Sequence, residues 1–147
     1  MSTTVSTATP DRTSSDAGRD VASLLLRLAI GAVFIGYGLT KVTDITAVQE
    51  YFASLSIPQP GFWAPAITFL ELIGGALLIA GVLTRPLAAV FAVEMAVALV
   101  WAKMLQPDYT FTRGYDLDLV MLAGCLALVA LGSGRFSVMG VLGRPRW

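Results

Sequence analysis

Between Thr68 and Pro86 the chain reads TFLELIGGALLIAGVLTRP, an almost wholly apolar stretch. It holds one carboxylate, Glu71, followed by two consecutive glycines, Gly74 and Gly75. It stops at Thr84-Arg85-Pro86, and a second apolar run begins at once. A helix needs about 20 apolar residues to cross the hydrocarbon layer. Two such runs joined by a tight turn predict a membrane helical hairpin with a polar group kept inside it.

Four apolar segments of this kind are present, at about 21–39, 64–83, 86–105 and 115–132. The first three have spanning length. The fourth reaches it only when Tyr115–Asp118 is included, so its outer end is polar. A soluble helical bundle would show a polar face on every helix at the helical period, and these runs do not. Only 14% of the residues are charged, against about a quarter in soluble domains. The predicted fold is therefore all-α: an integral membrane four-helix bundle occupying 21–134. Met1–Asp20 is polar and reads as a disordered tail, without the apolar core of a signal peptide. Residues 135–147 read as a short basic tail.

Between the first and second runs, Ile45, Val48, Phe52 and Leu55 recur at three- and four-residue steps. That spacing suits a short amphipathic helix on the membrane surface, and an ordered loop suits it equally. Ile57-Pro58-Gln59-Pro60-Gly61 ends the segment. Phe62 and Trp63 suit an interface, and Pro65 suits the first turn of the next helix.

Arginine and lysine set the orientation. Arg12, Arg19, Arg85, Arg135, Arg144 and Arg146 fall on one side, while Lys41, Lys103 and Arg113 fall on the other. The positive-inside bias puts both termini in the cytoplasm of a cell-membrane protein. The formal net charge is zero, so no nucleic-acid surface is indicated. There is no histidine and one cysteine, Cys125. No metal site is expected, and redox chemistry in this chain would need a bound cofactor or a partner protein.

Charges inside membrane helices are costly and usually face the bundle interior in pairs. Arg27 and Glu94 have similar depth and opposite sign, which predicts a buried Arg27–Glu94 ion pair. Lys41, Glu71, Lys103, Asp116 and Asp118 all fall in the outer half and form a second expected cluster. One reading makes these charges structural ion pairs that fix helix register, with Lys41, Lys103 and Asp116 snorkelling to the surface. The other makes the cluster an outward-opening polar pocket for a quinone head group, a small solute or a partner side chain. Glu71 and Glu94 are the strongest functional candidates, because neither lies close enough to a helix end to snorkel.

Small residues indicate close helix packing. Gly74 and Gly75 lie one turn inward of Glu71, where a helix or a flat ligand ring would fit. Ala32-xxx-Gly36-xxx-Thr40, Ala88-xxx-Ala92-xxx-Ala96 and Gly124-xxx-Leu128-xxx-Gly132 each line one face. Cys125 reads as a small packing residue.

These motifs together resemble the DoxX family of small four-helix bacterial membrane proteins. The matching segments are LLLRLAIGAVFIGYGLTKV, with Arg27, Gly31, Gly38 and Lys41, and the surface segment ending in Ile57-Pro58. FLELIGGALLIAGVLTRP follows, with Glu71, Gly74, Gly75, Gly81 and Arg85, then Met95, Ala98 and Asp118. The resemblance covers about Leu24–Leu131. It implies a membrane subunit of a redox or oxidative-stress assembly, with a quinone or lipid as candidate ligand and redox proteins as candidate partners. The sequence leaves open a non-enzymatic scaffold that recruits soluble proteins and, ranked last, a small-solute transporter working as a homo-oligomer. The missing histidine and cysteine pair argue against self-contained catalysis.

Overall fold

The computed structural model describes residues 12–105 and 114–143, with side chains from Asp16 onward. The first helix, α1, runs Arg12–Thr43. It starts upstream of the apolar run, so the polar residues from Arg12 to Asp20 are helical and not a disordered tail. What holds its start is visible: Asp20 Oδ1 accepts a hydrogen bond from the Arg135 amide at 2.9 Å. Residues 1–11 lie outside the described residues.

After Asp44 comes α2, Ile45–Ser54, which decides between helix and loop for this segment. Asp44 caps it by accepting from the Ala47 amide at 2.9 Å, satisfying one of the free N–H groups of the first turn. Phe52 is its buried residue. Trp101 Nε1 donates to the Leu55 carbonyl at 3.0 Å, fastening the end of α2 to a distant helix.

The second rod is continuous from Pro60 to Ala80 and is built of three pieces. These are α3 (Pro60–Phe69), a π-helical segment π1 (Leu70–Gly74) and α4 (Gly75–Ala80). Because the rod begins at Pro60, Pro65 lies inside the helix and not at its start. Gly81, at φ +73°, ends α4 in the left-handed conformation that glycine adopts without penalty. Leu83 then opens the third rod, which consists of α5 (Thr84–Val97) and a second π-helical segment π2 (Ala98–Met104). The fourth helix, α6, spans Asp116–Leu131 and is shorter, at 16 residues. A single turn, α7, follows at Val138–Val141. Gln106–Arg113 and Arg144–Trp147 lie outside the described residues.

Three of the rods, Asp16–Thr43, Pro60–Ala80 and Thr84–Met104, are long and apolar enough to cross a membrane. Helix α1 packs on α3, π1 and α4 along one side and on α6 along another, and α5 packs on α6. The shared core is Ile30, Phe34, Leu78, Ala88, Phe91, Ala92, Met121, Cys125 and Leu128. Phe34 and Phe91 stack at its centre, with ring centroids 3.8 Å apart. Outward positions such as Val93, Val97, Val120 and Leu126 are exposed and apolar, as lipid-facing positions must be.

Glycine sets the tightest crossing. A Cβ on Gly31 would stand 2.8 Å from the Gly75 carbonyl oxygen, and one on Gly75 would stand 2.9 Å from the Gly31 carbonyl oxygen. The α1 and α4 backbones therefore touch directly. Gly74 faces the Phe91 ring, which a Cβ would approach to 2.8 Å. Both glycines of the opening stretch are thus filled by neighbouring helices, not by space for a ligand ring. Ala88 and Ala92 are buried as expected. Gly36 is not an internal packing residue: it is exposed with nothing near it, and Gly31 and Gly38 take that role on α1. The small-residue face that includes Gly36 points outward because α1 turns its Gly31 and Gly38 side to the second rod.

Candidate functional site

The two ends of the bundle each bury charge, and they do so differently. Both termini of the described bundle, the start of α1 and the end of α6, lie at one end, here called the terminal end. The opposite end, where α1 gives way to α2, is the loop end.

At the loop end Lys41, in the last turn of α1, reaches Glu71 on π1, with Nζ 2.5 Å from Oε1. Glu71 is 2% exposed, whereas the lysine side chain is 26% exposed. The lysine therefore links a buried carboxylate to the surface. Glu94 on α5 brings a second carboxyl within hydrogen-bonding reach of Glu71 and close to Lys41. Cys125 on α6 lies near Glu94. One oxygen of each carboxyl, Glu71 Oε2 and Glu94 Oε2, is buried and receives no donor. Two acid groups, one cation and two unmet acceptors meet here, more unmet buried atoms than at any other site among the described residues.

A second loop-end pair joins Lys103 on π2 to Asp118 on α6, at 2.7 Å. Lys103 also donates to the carbonyl of Gly114. Lys41, Glu71, Lys103 and Asp118 thus resolve into two separate ion pairs, one joining α1 to π1 and one joining π2 to α6. Asp116 is exposed on the first turn of α6. Glu71 and Lys103 both sit in π-helical segments, which recur at functional sites because the widened turn re-aims a side chain.

At the terminal end Arg27 is fully buried. The expected Arg27–Glu94 ion pair is not formed. Arg27 Nη1 donates to the Ile79 carbonyl at 3.1 Å, and Nη2 donates to the carbonyl of Phe136. Ile79 lies in the last turn of α4, where helix carbonyls lack intrahelical partners and carry partial negative charge. The guanidinium is thus held by main chain from two segments, leaving only Nε without a partner among its nitrogens. Ser23 on the same face of α1 donates to the Gly132 carbonyl at 2.5 Å. With Asp20, Ser23 and Arg27 form a polar stripe that fastens α1 to the segment after α6.

A cavity of 360 Å³ opens beside this stripe, lined by Asp16, Arg19, Asp20, Arg85 and Arg135 with Leu131 and Gly134. Its mixed charge gives it no single ligand preference.

The expected outer cluster splits: Glu71 pairs with Lys41 while Lys103 and Asp118, its expected neighbours, pair with each other, and Glu94, expected against Arg27, lies beside Glu71. The signal was present, because Glu71 and Glu94 lie at nearly equal separations from the turn at Gly81–Leu83. In a tight hairpin, equal separation means equal depth.

Known proteins similar to this chain are described as membrane proteins or as an oxidoreductase. The chain is 31% identical over 114 residues to the Bacillus subtilis (strain 168) protein described as "Putative oxidoreductase CatD", covering 78% of this chain and 81% of that protein. It is 29% identical over 133 residues to the inner membrane protein YqjF of Escherichia coli (strain K12), covering 87% and 96%. It is also 29% identical over 126 residues to an uncharacterized membrane protein of Mycobacterium tuberculosis, covering 78% and 77%. No solved structure matches the chain. The DoxX family pattern matches residues 22–104, from α1 through π2, the stretch that contributes Arg27, Lys41, Glu71, Glu94 and Lys103. This chain is a membrane protein of the DoxX family.

Proposed function

We propose that this protein is the membrane subunit of a redox assembly and that its loop-end site receives the polar head of a quinone. The observation that carries this reading is the Lys41–Glu71–Glu94 group, with its two buried oxygens lacking donors. A quinone head exchanges hydrogen-bonded protons as it gains and loses electrons, so it needs acidic and basic side chains beside an apolar wall. The Lys103–Asp118 pair on π2 and α6 forms the second polar wall of the same end. The relative described as an oxidoreductase supports a redox setting. With no histidine and a single buried cysteine, the electrons come from a partner protein and not from this chain. The arginine-rich terminal end faces the cytoplasm in this reading, and the loop end faces outward.

Glu71→Gln tests it. The protein is purified in mild detergent from its native host, and co-purifying proteins and quinones are identified by mass spectrometry. Wild type retains quinone and a dehydrogenase-type partner. The variant keeps its expression and partner but loses quinone and quinone-linked turnover. Unchanged turnover removes Glu71 from the mechanism.

A further inference from the structure

We propose that Glu71 and Glu94 share a single exchangeable proton, making the loop-end site a proton-binding centre with Lys41 as its fixed counter-charge. The argument is one of counting. Glu71 Oε1 is met by Lys41 at 2.5 Å. The neighbouring Glu94 carboxyl lies within hydrogen-bonding reach, yet Glu71 Oε2 and Glu94 Oε2 receive no donor. Two ionised carboxylates are both acceptors and repel, so they do not bond to one another. One proton placed between them turns one group into a donor and gives the other its missing bond. It also leaves one negative charge against one lysine, a neutral arrangement that suits an apolar interior.

Among the described residues, no other group supplies that donor. From α1 the facing cation is Lys41, already bonded to Oε1. From α6 the near titratable group is the Cys125 thiol, a weak donor. Lys103 and Asp118 are committed to each other, and Arg27 is held by carbonyls at the far end of α1. Thr68, one turn before Glu71, spends its hydroxyl on the Ala64 carbonyl. Uptake forms one carboxyl O–H bond as a solvent hydronium ion, arriving along the partly exposed Lys41 side chain, breaks one of its own and leaves water; release reverses it. No electron moves. The site therefore exists whether or not a quinone binds beside it.

The test is infrared spectroscopy of quinone-free protein in lipid nanodiscs at neutral pH. Wild type is expected to show a carboxylic-acid C=O stretch that shifts in D₂O. The band is expected to vanish in both Glu71→Gln and Glu94→Gln, where the introduced amide donates the missing hydrogen bond without a proton. Absence of the band from wild type, or its persistence in either variant, overturns the proposal. Should a variant fail to fold, carboxyl-labelled glutamate in the wild-type chain decides the matter. The chain has only three glutamates, and the third, Glu50, is exposed. An isotope-shifted band supports the shared proton, and an unshifted one overturns it.

Discussion

Arg27 and Glu71 are both buried charges on the inner faces of apolar helices, yet they are met in opposite ways. Arg27 is bound by main-chain carbonyls, which are fixed in position and never titrate. Glu71 is bound by side chains, one of them a second acid. The two sites stand about 21 Å apart along α1, measured from Arg27 to Lys41 at 1.5 Å per residue. The contrast teaches that a membrane protein can bury charge as a rivet or as a responsive group, and that the kind of partner separates the two. A guanidinium on carbonyls holds two segments together. A carboxyl pair with spare acceptors changes state.

Three substitutions probe that contrast. Arg27→Met strips the donor from two carbonyls in the core. It is expected to destabilise the protein by about 3 kcal/mol or more, read as loss of thermal stability in detergent. A loss no larger than that of Glu94→Gln would break the contrast. Gly75→Ala drives a methyl into the Gly31 carbonyl at the crossing between the two sites. It is expected to cost about 1–3 kcal/mol, and a helix shift there should also weaken the Lys41–Glu71 pair, visible as altered infrared absorption of the carboxyl groups. Glu94→Gln is expected to change stability least, by under about 1 kcal/mol, because the amide supplies the missing donor. A large loss would make Glu94 a rivet as well.

Much of this architecture is legible in the sequence. The apolar runs mark the spans and the Thr84-Arg85-Pro86 break marks the hairpin, whereas the spacing of Ile45, Val48, Phe52 and Leu55 suits a loop as well as the helix α2 that forms. Other features follow from rules that residue patterns do not carry. Opposite sign and similar depth point from Arg27 to Glu94, but a helix end offers carbonyls that bind a guanidinium without any side chain. Like charges repel, so sign does not pair Glu71 with Glu94, although the hairpin turn sets them at one depth. The π-helical segments under Glu71 and Lys103 have no composition of their own, since the same residues would form an α-helix in isolation. Gly31 and Gly36 are indistinguishable on paper. Only the face that α1 turns to the second rod makes one a contact and the other not.

The stripe of Asp20, Ser23 and Arg27 also has a consequence in time. Its acceptors and donor on the far side, from Gly132 to Phe136, are more than a hundred residues later in the chain. During synthesis α1 enters the membrane long before they exist, so Arg27 waits with only the α4 end as a permanent partner. Long-range closures of this kind come late in folding. The last step of assembly is then the clasp itself, and a chain cut short of Phe136 would carry in its core a guanidinium bonded only to the end of α4.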